Sequence, residues 1–549
     1  MIIGIDLDNT IIDYRNSFWQ TALAMGILKE TAKKSIRKKE GSFPNKNEIK
    51  SYLLCLENGD YQWESLQGQA YGRYIHNATI FPGVVNFLMH CKNRGEKVYI
   101  ISHKTEFGHH DKSQTPLREA ALNFLDNNGL LSENIGIRSE DVFFFSSRQG
   151  KLNKIAELNC DYFIDDLPNI FKDPDFPKHT KKIIFDIHSE YGSDNNPNSW
   201  WRINELLLSI INENDIAAYV ESGLNKEVKA VNKIKGRKNS RVYKIEMDSG
   251  QEYAGKLYPD QTFDDRNRLE KEIKAYKFLH KHGIKSVPEV IWSNSNLNFG
   301  LFGWIDGTNV NEITDDYVLN AAEIVKLLDE LSKHTSYGQF KLATAACLSG
   351  QMIEEQIRDR YKTIHEYSNF NIDLNSFLEN NFIKTFDKIL LHAKKLWPGK
   401  FETKLSNDHQ LLSPSDFGFH NTLLTKKGLK FIDFEYFGWD DPVKLTCDFL
   451  LHPGMFITDK QKTLWLNRII DIFSDDNYFY QRLTASYCLY GLCWGLIILN
   501  VFFTDHRMGK NVTDVIKSDL EKKQTKQLKK SMKLIDHINE VHKHGFPYE

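Results

Sequence analysis

The chain has 549 residues, and its 71 Lys and Arg nearly balance its 73 Asp and Glu, for a formal net charge of −2. Apolar residues make up 41% and charged residues 26%, an ordinary globular composition. At roughly 150 residues per domain the length predicts three or four domain-sized units. The lack of a basic excess argues against a general nucleic-acid or membrane-surface binder.

Seven cysteines stand at 55, 91, 160, 347, 447, 488 and 493, an odd number with no metal-ligand spacing. They predict buried, inert thiols in a reducing compartment, and hence a cytoplasmic location. The N-terminus enters a strand pattern at once, Ile2-Ile3-Gly4-Ile5, with no basic stretch or cleavage site, so no secretory leader is expected.

Over the first 200 residues, short apolar strands alternate with helical stretches, the pattern of a parallel α/β sheet. Strands are predicted at 2–7, 97–102, 142–146, 162–164 and 182–186. A helical, polar insertion covers about 14–78. The turn formers from Gly192 to Asn198 predict a loop, and a helix at 200–212 closes this first domain, 1–212. Residues 213–226 are expected to be a linker.

The second domain, 227–549, opens with strands at 230–234, 241–247 and 252–257, the last two joined through Asp248-Ser249-Gly250 as a hairpin. A helix at 264–282 follows, then strands at 290–292 and 300–304, and mostly helix from Asp315. The apolar run 487–499 is short for a membrane span and reads as a buried helix. The Lys-rich stretch 522–533 reads as a solvated helix face.

The first chemical signal is Asp6-Leu7-Asp8-Asn9-Thr10. Two carboxylates two apart at the end of a buried strand point the same way, at the strand end where open parallel sheets bind ligands. Like charges so close call for a cation, and a hard one such as Mg²⁺ fits. Three further signals follow in order: Ser102 ends a strand, Lys151 opens a helix, and Asp165-Asp166 end another strand. Together these resemble the haloacid-dehalogenase superfamily of phosphohydrolases, with all four motifs within the first 170 residues. The resemblance implies a Rossmann-like parallel-sheet domain whose insertion is a helical cap shaping the substrate pocket. It implies Asp6 as nucleophile, Asp8 as general acid then base, and Ser102 and Lys151 as holders of the phosphoryl oxygens. Asp6, the Asp8 carbonyl and Asp165 would bind Mg²⁺, with Asp166 as an additional ligand. Asp8 favours a phosphatase, since dehalogenases of this superfamily lack that acid. The stretch from His103 to Asp111 holds three histidines and reads as a loop above the site rather than a second metal centre.

The second signal is more dispersed. Gly236, Asn239 and Ser240 lie in a turn whose backbone amides could cradle phosphates. Lys256 sits inside an otherwise apolar strand and needs a partner, for which Glu272 on the following helix is the natural choice. Far downstream, Asp416 and Asn421 stand five apart, followed by a strand ending at Asp433. Asp416 could accept the proton of a substrate hydroxyl while Asn421 and Asp433 hold Mg²⁺ against ATP phosphates. This order resembles the aminoglycoside phosphotransferase and choline kinase family over about 225–510, which implies a bilobal α+β protein-kinase-like fold. Trp304 falls where that family binds adenine. One departure is that Pro414 and Ser415 replace the family's usual His-Gly before the catalytic Asp. His420 reads as a satisfied core histidine, with a structural substitute for the missing His as the other reading.

The expected function is a bifunctional enzyme of small metabolites using Mg²⁺ and ATP. Kinase and phosphatase acting on one phosphate would form a futile cycle, so different positions or compounds are expected. Preparing a sugar 1-phosphate for nucleotide activation, as in surface-polysaccharide synthesis, is one scheme. Nucleic-acid end repair also pairs these activities, but GxxxxGK[ST] is missing and the charge is balanced. A third reading has one domain sense a ligand and regulate the other.

Overall fold

The computed structural model describes every residue except 30–35, 37–43, 45, 112, 188–195, 209–210, 235–239, 260–265, 369–370, 504–513 and 549. The chain divides into two compact units, Met1–Asp265 with Ile291–Phe302, and Arg266–Val290 with Gly303–Glu549.

The first unit is built on a five-stranded parallel sheet. Its spatial order is Val142–Phe145, Lys97–His103, Ile2–Ile5, Tyr162–Asp165, Lys181–Ile184. Ile2–Ile5 is central, paired in parallel with Lys97–His103 on one side and Tyr162–Asp165 on the other. The strand order reverses around this central strand, which opens a crevice at its carboxyl end. Gly4 is required there, because a Cβ would stand 2.6 Å from Cδ2 of Phe163.

The insertion after the first strand contains the helices Arg15–Ala24, Lys46–Leu53 and Gly59–Tyr71. A two-stranded pairing of Ile12–Asp13 with Thr79–Ile80 closes its base. Phe18 and Trp63 stack inside it at 5.5 Å.

The same unit holds a second sheet, ordered Val290–Asn294, Phe299–Gly303, Glu252–Leu257, Arg241–Met247, Val228–Ile234. The Arg241–Met247 to Glu252–Leu257 hairpin turns through Gly250 at φ +80°. One continuous apolar core runs from Ile3 and Ile5 through Phe87, Trp200, Ile216 and Tyr219 to Phe299. The stretch expected as a linker, 213–226, is instead the helix Glu213–Leu224 for most of its length. Its polar start, Glu213-Asn214-Asp215, belongs to a capping box: Asn212 accepts from the Asn214 and Asp215 amides, and Asp215 accepts from the Asn212 amide. Asp215 also reaches buried His90 at 3.2 Å.

The second unit is mainly helical. Phe479–Ile498 is its central helix, and Asp514–His544 packs along it. The segment Phe479–Phe502 is long and apolar enough to span a membrane by length and composition, yet 72% of its most apolar window is buried inside the protein. Two short sheets carry the polar turns of this unit. Thr308–Asn309, Thr422–Thr425 and Gly428–Phe431 form one, and Leu411–Ser413 with Gly438–Asp440 the other.

Candidate active sites

In the first unit the carboxyl ends of three strands bring together residues far apart in sequence. Asp6 follows the central strand directly, Ser102 lies near the end of Lys97–His103, and Asp165 ends Tyr162–Asp165. Lys151 comes from the first turn of the helix Arg148–Glu157, capped by Ser147. Its ammonium stands 2.5 Å from Asp6 Oδ1 and 2.7 Å from Asp165 Oδ2. All four side chains are buried.

Carboxylate oxygens of Asp6, Asp165 and Asp166 lie within 4.8 Å of one another. Burial pushes the Asp6 carboxyl up to about 7; Lys151 opposes this, while Asp165 and Asp8 add to it. Burial, then Asp6 and Asp165, push Asp166 up to about 8. Burial alone would lower the Lys151 ammonium, but Asp6 and Asp165 outweigh it and raise it. Ionised together, the three acids would carry more negative charge than Lys151 offsets, and the all-oxygen donor set suits a hard divalent cation that would favour their ionised form.

The structure adds contacts that the sequence did not indicate. Lys104 Nζ lies 2.7 and 3.0 Å from the two Asp8 oxygens, and the Tyr14 hydroxyl donates to Asp8 at 2.9 Å. Lys104 also sits over the ring of Tyr71, whose hydroxyl accepts from Lys46 at 2.8 Å. Thr10 accepts the Asp166 amide, and the Trp200 indole donates to the Thr10 carbonyl. In the histidine-bearing stretch, His103 meets the Ser146 carbonyl and His110 meets Glu64. Asp111 is taken by Gln69 and Ser113. Among the described residues, none of this stretch joins a metal-ligand cluster.

Of the residues expected to hold nucleotide, Gly236 and Asn239 lie outside the described residues. Ser240 is buried just before the strand Arg241–Met247. Lys256 is buried on its strand opposite Val242, with its ammonium over the Tyr258 ring. Glu272, Trp304, Asp416, Asn421 and Asp433 belong to the second unit. Within that unit Glu272 accepts from the Tyr276 hydroxyl at 2.7 Å and the Phe434 amide at 3.1 Å. Tyr276 is four residues on, on the same face of the helix Arg268–Lys281.

Asp416 follows Ser415, which is held at φ +68°, and Asp433 itself sits at φ +73°. Left-handed backbone at non-glycine residues costs energy, and it clusters where side chains must be aimed. The Asn421 amide nitrogen is turned to Asp416, 3.0 Å from its carbonyl and 3.3 Å from Oδ2. Asp433 groups with Glu272 and Glu435, their oxygens within 4.8 Å of one another. Arg268 holds Glu435 and also donates to Tyr436. An oxygen set of this kind again fits a hard cation, held by Asp433 with acids the sequence did not indicate as ligands. Burial raises the Asp416 carboxyl, but the hydrogen bond and charge of His420, with His452 behind it, hold it below its ordinary value.

The neighbouring Asp440-Asp441 pair is structural. Asp441 caps the helix Pro442–Leu451 and pairs with buried Arg482 at 2.9 Å, and Asp440 accepts the Cys347 and Asp441 amides.

Residues 231–470 match the phosphotransferase enzyme family. A Bacillus cereus protein provisionally named a nucleotidase is 22% identical over 178 residues, which are 31% of this chain and 79% of that protein. Among solved structures, a spectinomycin phosphotransferase with ADP and spectinomycin is 14% identical, covering 60% of this chain and 99% of that one, at a TM-score of 0.40. An ethanolamine kinase of Plasmodium vivax is 15% identical, covering 60% and 93%, at 0.39. A choline kinase of Streptococcus pneumoniae is 14% identical, covering 59% and 98%, at 0.39.

Proposed function

We propose that the chain is an enzyme with two Mg²⁺-dependent phosphoryl-transfer centres, a phosphatase in the first unit and a small-molecule kinase built on the phosphotransferase match. The observation that carries the phosphatase reading is Lys151 bridging Asp6 and Asp165 at the carboxyl ends of adjacent parallel strands.

An Asp6 carboxylate oxygen attacks the substrate phosphorus and the ester bond to the leaving oxygen breaks, giving an aspartyl-phosphate. Asp8 donates a proton to the leaving oxygen, then takes one from the water that hydrolyses the intermediate. Ser102 and Lys151 hold the phosphoryl oxygens and offset their charge. Asp6, the Asp8 carbonyl, Asp165 and Asp166 would hold Mg²⁺, which supplies further charge neutralisation when bound. The resemblance to haloacid-dehalogenase phosphohydrolases supports these roles.

In the kinase, Asp416 accepts the proton of an acceptor hydroxyl as its oxygen attacks the γ-phosphorus of ATP and ADP leaves. Asn421 and Asp433 would hold Mg²⁺. Lys256 and Ser240 are assigned to nucleotide phosphates and Trp304 to the adenine side by resemblance. The acceptor is a sugar, polyol or amino alcohol in the cytoplasm, and the two centres act on different positions or compounds.

The test is a screen with Mg²⁺, reading phosphate release from sugar phosphates and nucleotides and ADP formation from ATP with hydroxylated metabolites. Phosphate release lost in Asp6→Asn, and ADP formation lost in Asp416→Asn, is the expected result. The reading fails if the unsubstituted protein shows neither activity.

A further inference from the structure

The carboxylate of Asp416 is bonded to one imidazole, on which a second is stacked, and the phosphotransfer reading has no role for either. His420 Nε2 lies 2.9 Å from Asp416 Oδ1. An ionised carboxylate can only accept, so that nitrogen carries the hydrogen. His420 stands four residues after Asp416, on the single 3₁₀ turn Phe419–Asn421.

The His452 ring stacks on His420, with centroids 3.7 Å apart and planes 10° apart. His452 Nδ1 accepts from the Gly454 amide at 3.1 Å, which places the proton of the neutral ring on Nε2. That nitrogen lies 3.9 Å from the same Asp416 oxygen. The Trp494 ring meets the His452 ring edge-on at 4.7 Å. The His452 ring is thus fixed by His420 on one face and by the Gly454 amide and the Trp494 indole elsewhere, and it backs the His420 ring.

Ligand atoms of Asp416, His420 and His452 lie close enough together to suggest a metal centre. The stacking argues otherwise. Imidazole nitrogen donates in the plane of its ring, and two parallel rings 3.7 Å apart cannot both aim in-plane lone pairs at one ion. The arrangement is that of a clamp on a carboxylate.

We propose that His420 is a positioning residue for phosphotransfer, its ring backed by stacked His452 so that Asp416 is presented to the acceptor hydroxyl in one orientation. This rests on the reading of Asp416 as the base. The acceptor proton goes to Asp416, and none passes to His420, whose Nε2 already carries one. The clamp comes from residues at other positions than the His-Gly that Pro414 and Ser415 replace.

The test uses the full chain with ATP and Mg²⁺ and a pool of sugars, polyols and amino alcohols, following ADP formation. His420→Phe keeps the stacked ring and removes the donor; His420→Gln restores an N–H at similar reach. His420→Phe is expected to lower kcat by about 10- to 100-fold, the cost of a misaligned reacting group, with KM for ATP nearly unchanged. His420→Gln is expected to recover most of that loss. Should His420→Phe not fold, His420→Leu takes its place against the same Gln variant. Wild-type kcat in the donor-less variant, or a Gln variant no better than it, overturns the proposal while the base assignment stands. ADP formation undiminished in Asp416→Asn, or none by the unsubstituted protein, overturns the base assignment and the clamp with it.

Discussion

Asp6, Lys151 and Asp165 were legible in the sequence because each closes or opens an element, so their order along the chain translates directly into positions on the sheet. Lys104 was not legible as a partner of Asp8, 96 residues away; only the course of the loop after the second strand brings its ammonium onto that carboxylate. His420 is expected from the sequence to be a satisfied core histidine, but it is half-buried, and only its Nε2 is partnered, by Asp416, while Nδ1 is buried with no hydrogen-bond partner among the described residues. His452 gave no signal at all, since a ring stacked from another element leaves no periodicity. Its setting has a pH consequence. Burial, with the charge of His420, pushes the His452 imidazole down to about 3. The unfolded chain takes up a proton near the ordinary histidine value of about 6.5, so below that pH it binds more protons than the folded state. Stability from this group is full above that value and declines as pH falls towards 3. Urea unfolding at pH 7 and pH 5 should therefore show a smaller loss of stability in His452→Phe than in the unsubstituted protein. An equal loss in both would assign the acid sensitivity elsewhere.

At the level of elements, the strands of the two five-stranded sheets were readable to within a few residues, because they are short runs bounded by turn formers, whereas short strands such as Leu411–Ser413 and Gly438–Asp440 were not. The helix Glu213–Leu224 was not, because its polar first turn resembles a linker until the capping contacts of Asn212 and Asp215 are seen. Within the second unit Glu272 accepts from the Tyr276 hydroxyl and the Phe434 amide, contacts that residue chemistry alone did not indicate. The apolar helix Phe479–Ile498 owes its burial to close packing. A Cβ on Gly491 would stand 2.2 Å from Ile538 Cδ1, and one on Gly495 2.6 Å from Ile535 Cδ1. Gly491→Leu should force these helices apart and cost about 1–3 kcal/mol, the usual penalty of overpacking. Chemical denaturation measures this directly, and an unchanged midpoint would show that the helices are not so tightly seated.

At the scale of the whole molecule, composition and motif order indicated two centres, but not how the core is shared. A boundary at 212 follows the motifs, whereas one apolar core in the first unit runs from the parallel sheet through Ile216 and Tyr219 to Phe299. A fragment ending at 226 keeps the helix that buries Ile216, Tyr219 and Val220. It should resist urea better than a fragment ending at 212, which exposes the apolar surface beneath. Equal midpoints would favour the motif-based boundary. No sequence pattern marks such sharing, since the residues that make it belong to separate elements and lack a common period. The proposed function requires the two centres to be separable. Its most direct measurement reads both activities side by side in Asp6→Asn and Asp416→Asn, with Mg²⁺ and the substrates found in the screen. Each variant is predicted to lose one activity and keep the other near the unsubstituted rate. Loss of both activities in either variant, or survival of both, would contradict two independent phosphoryl-transfer centres.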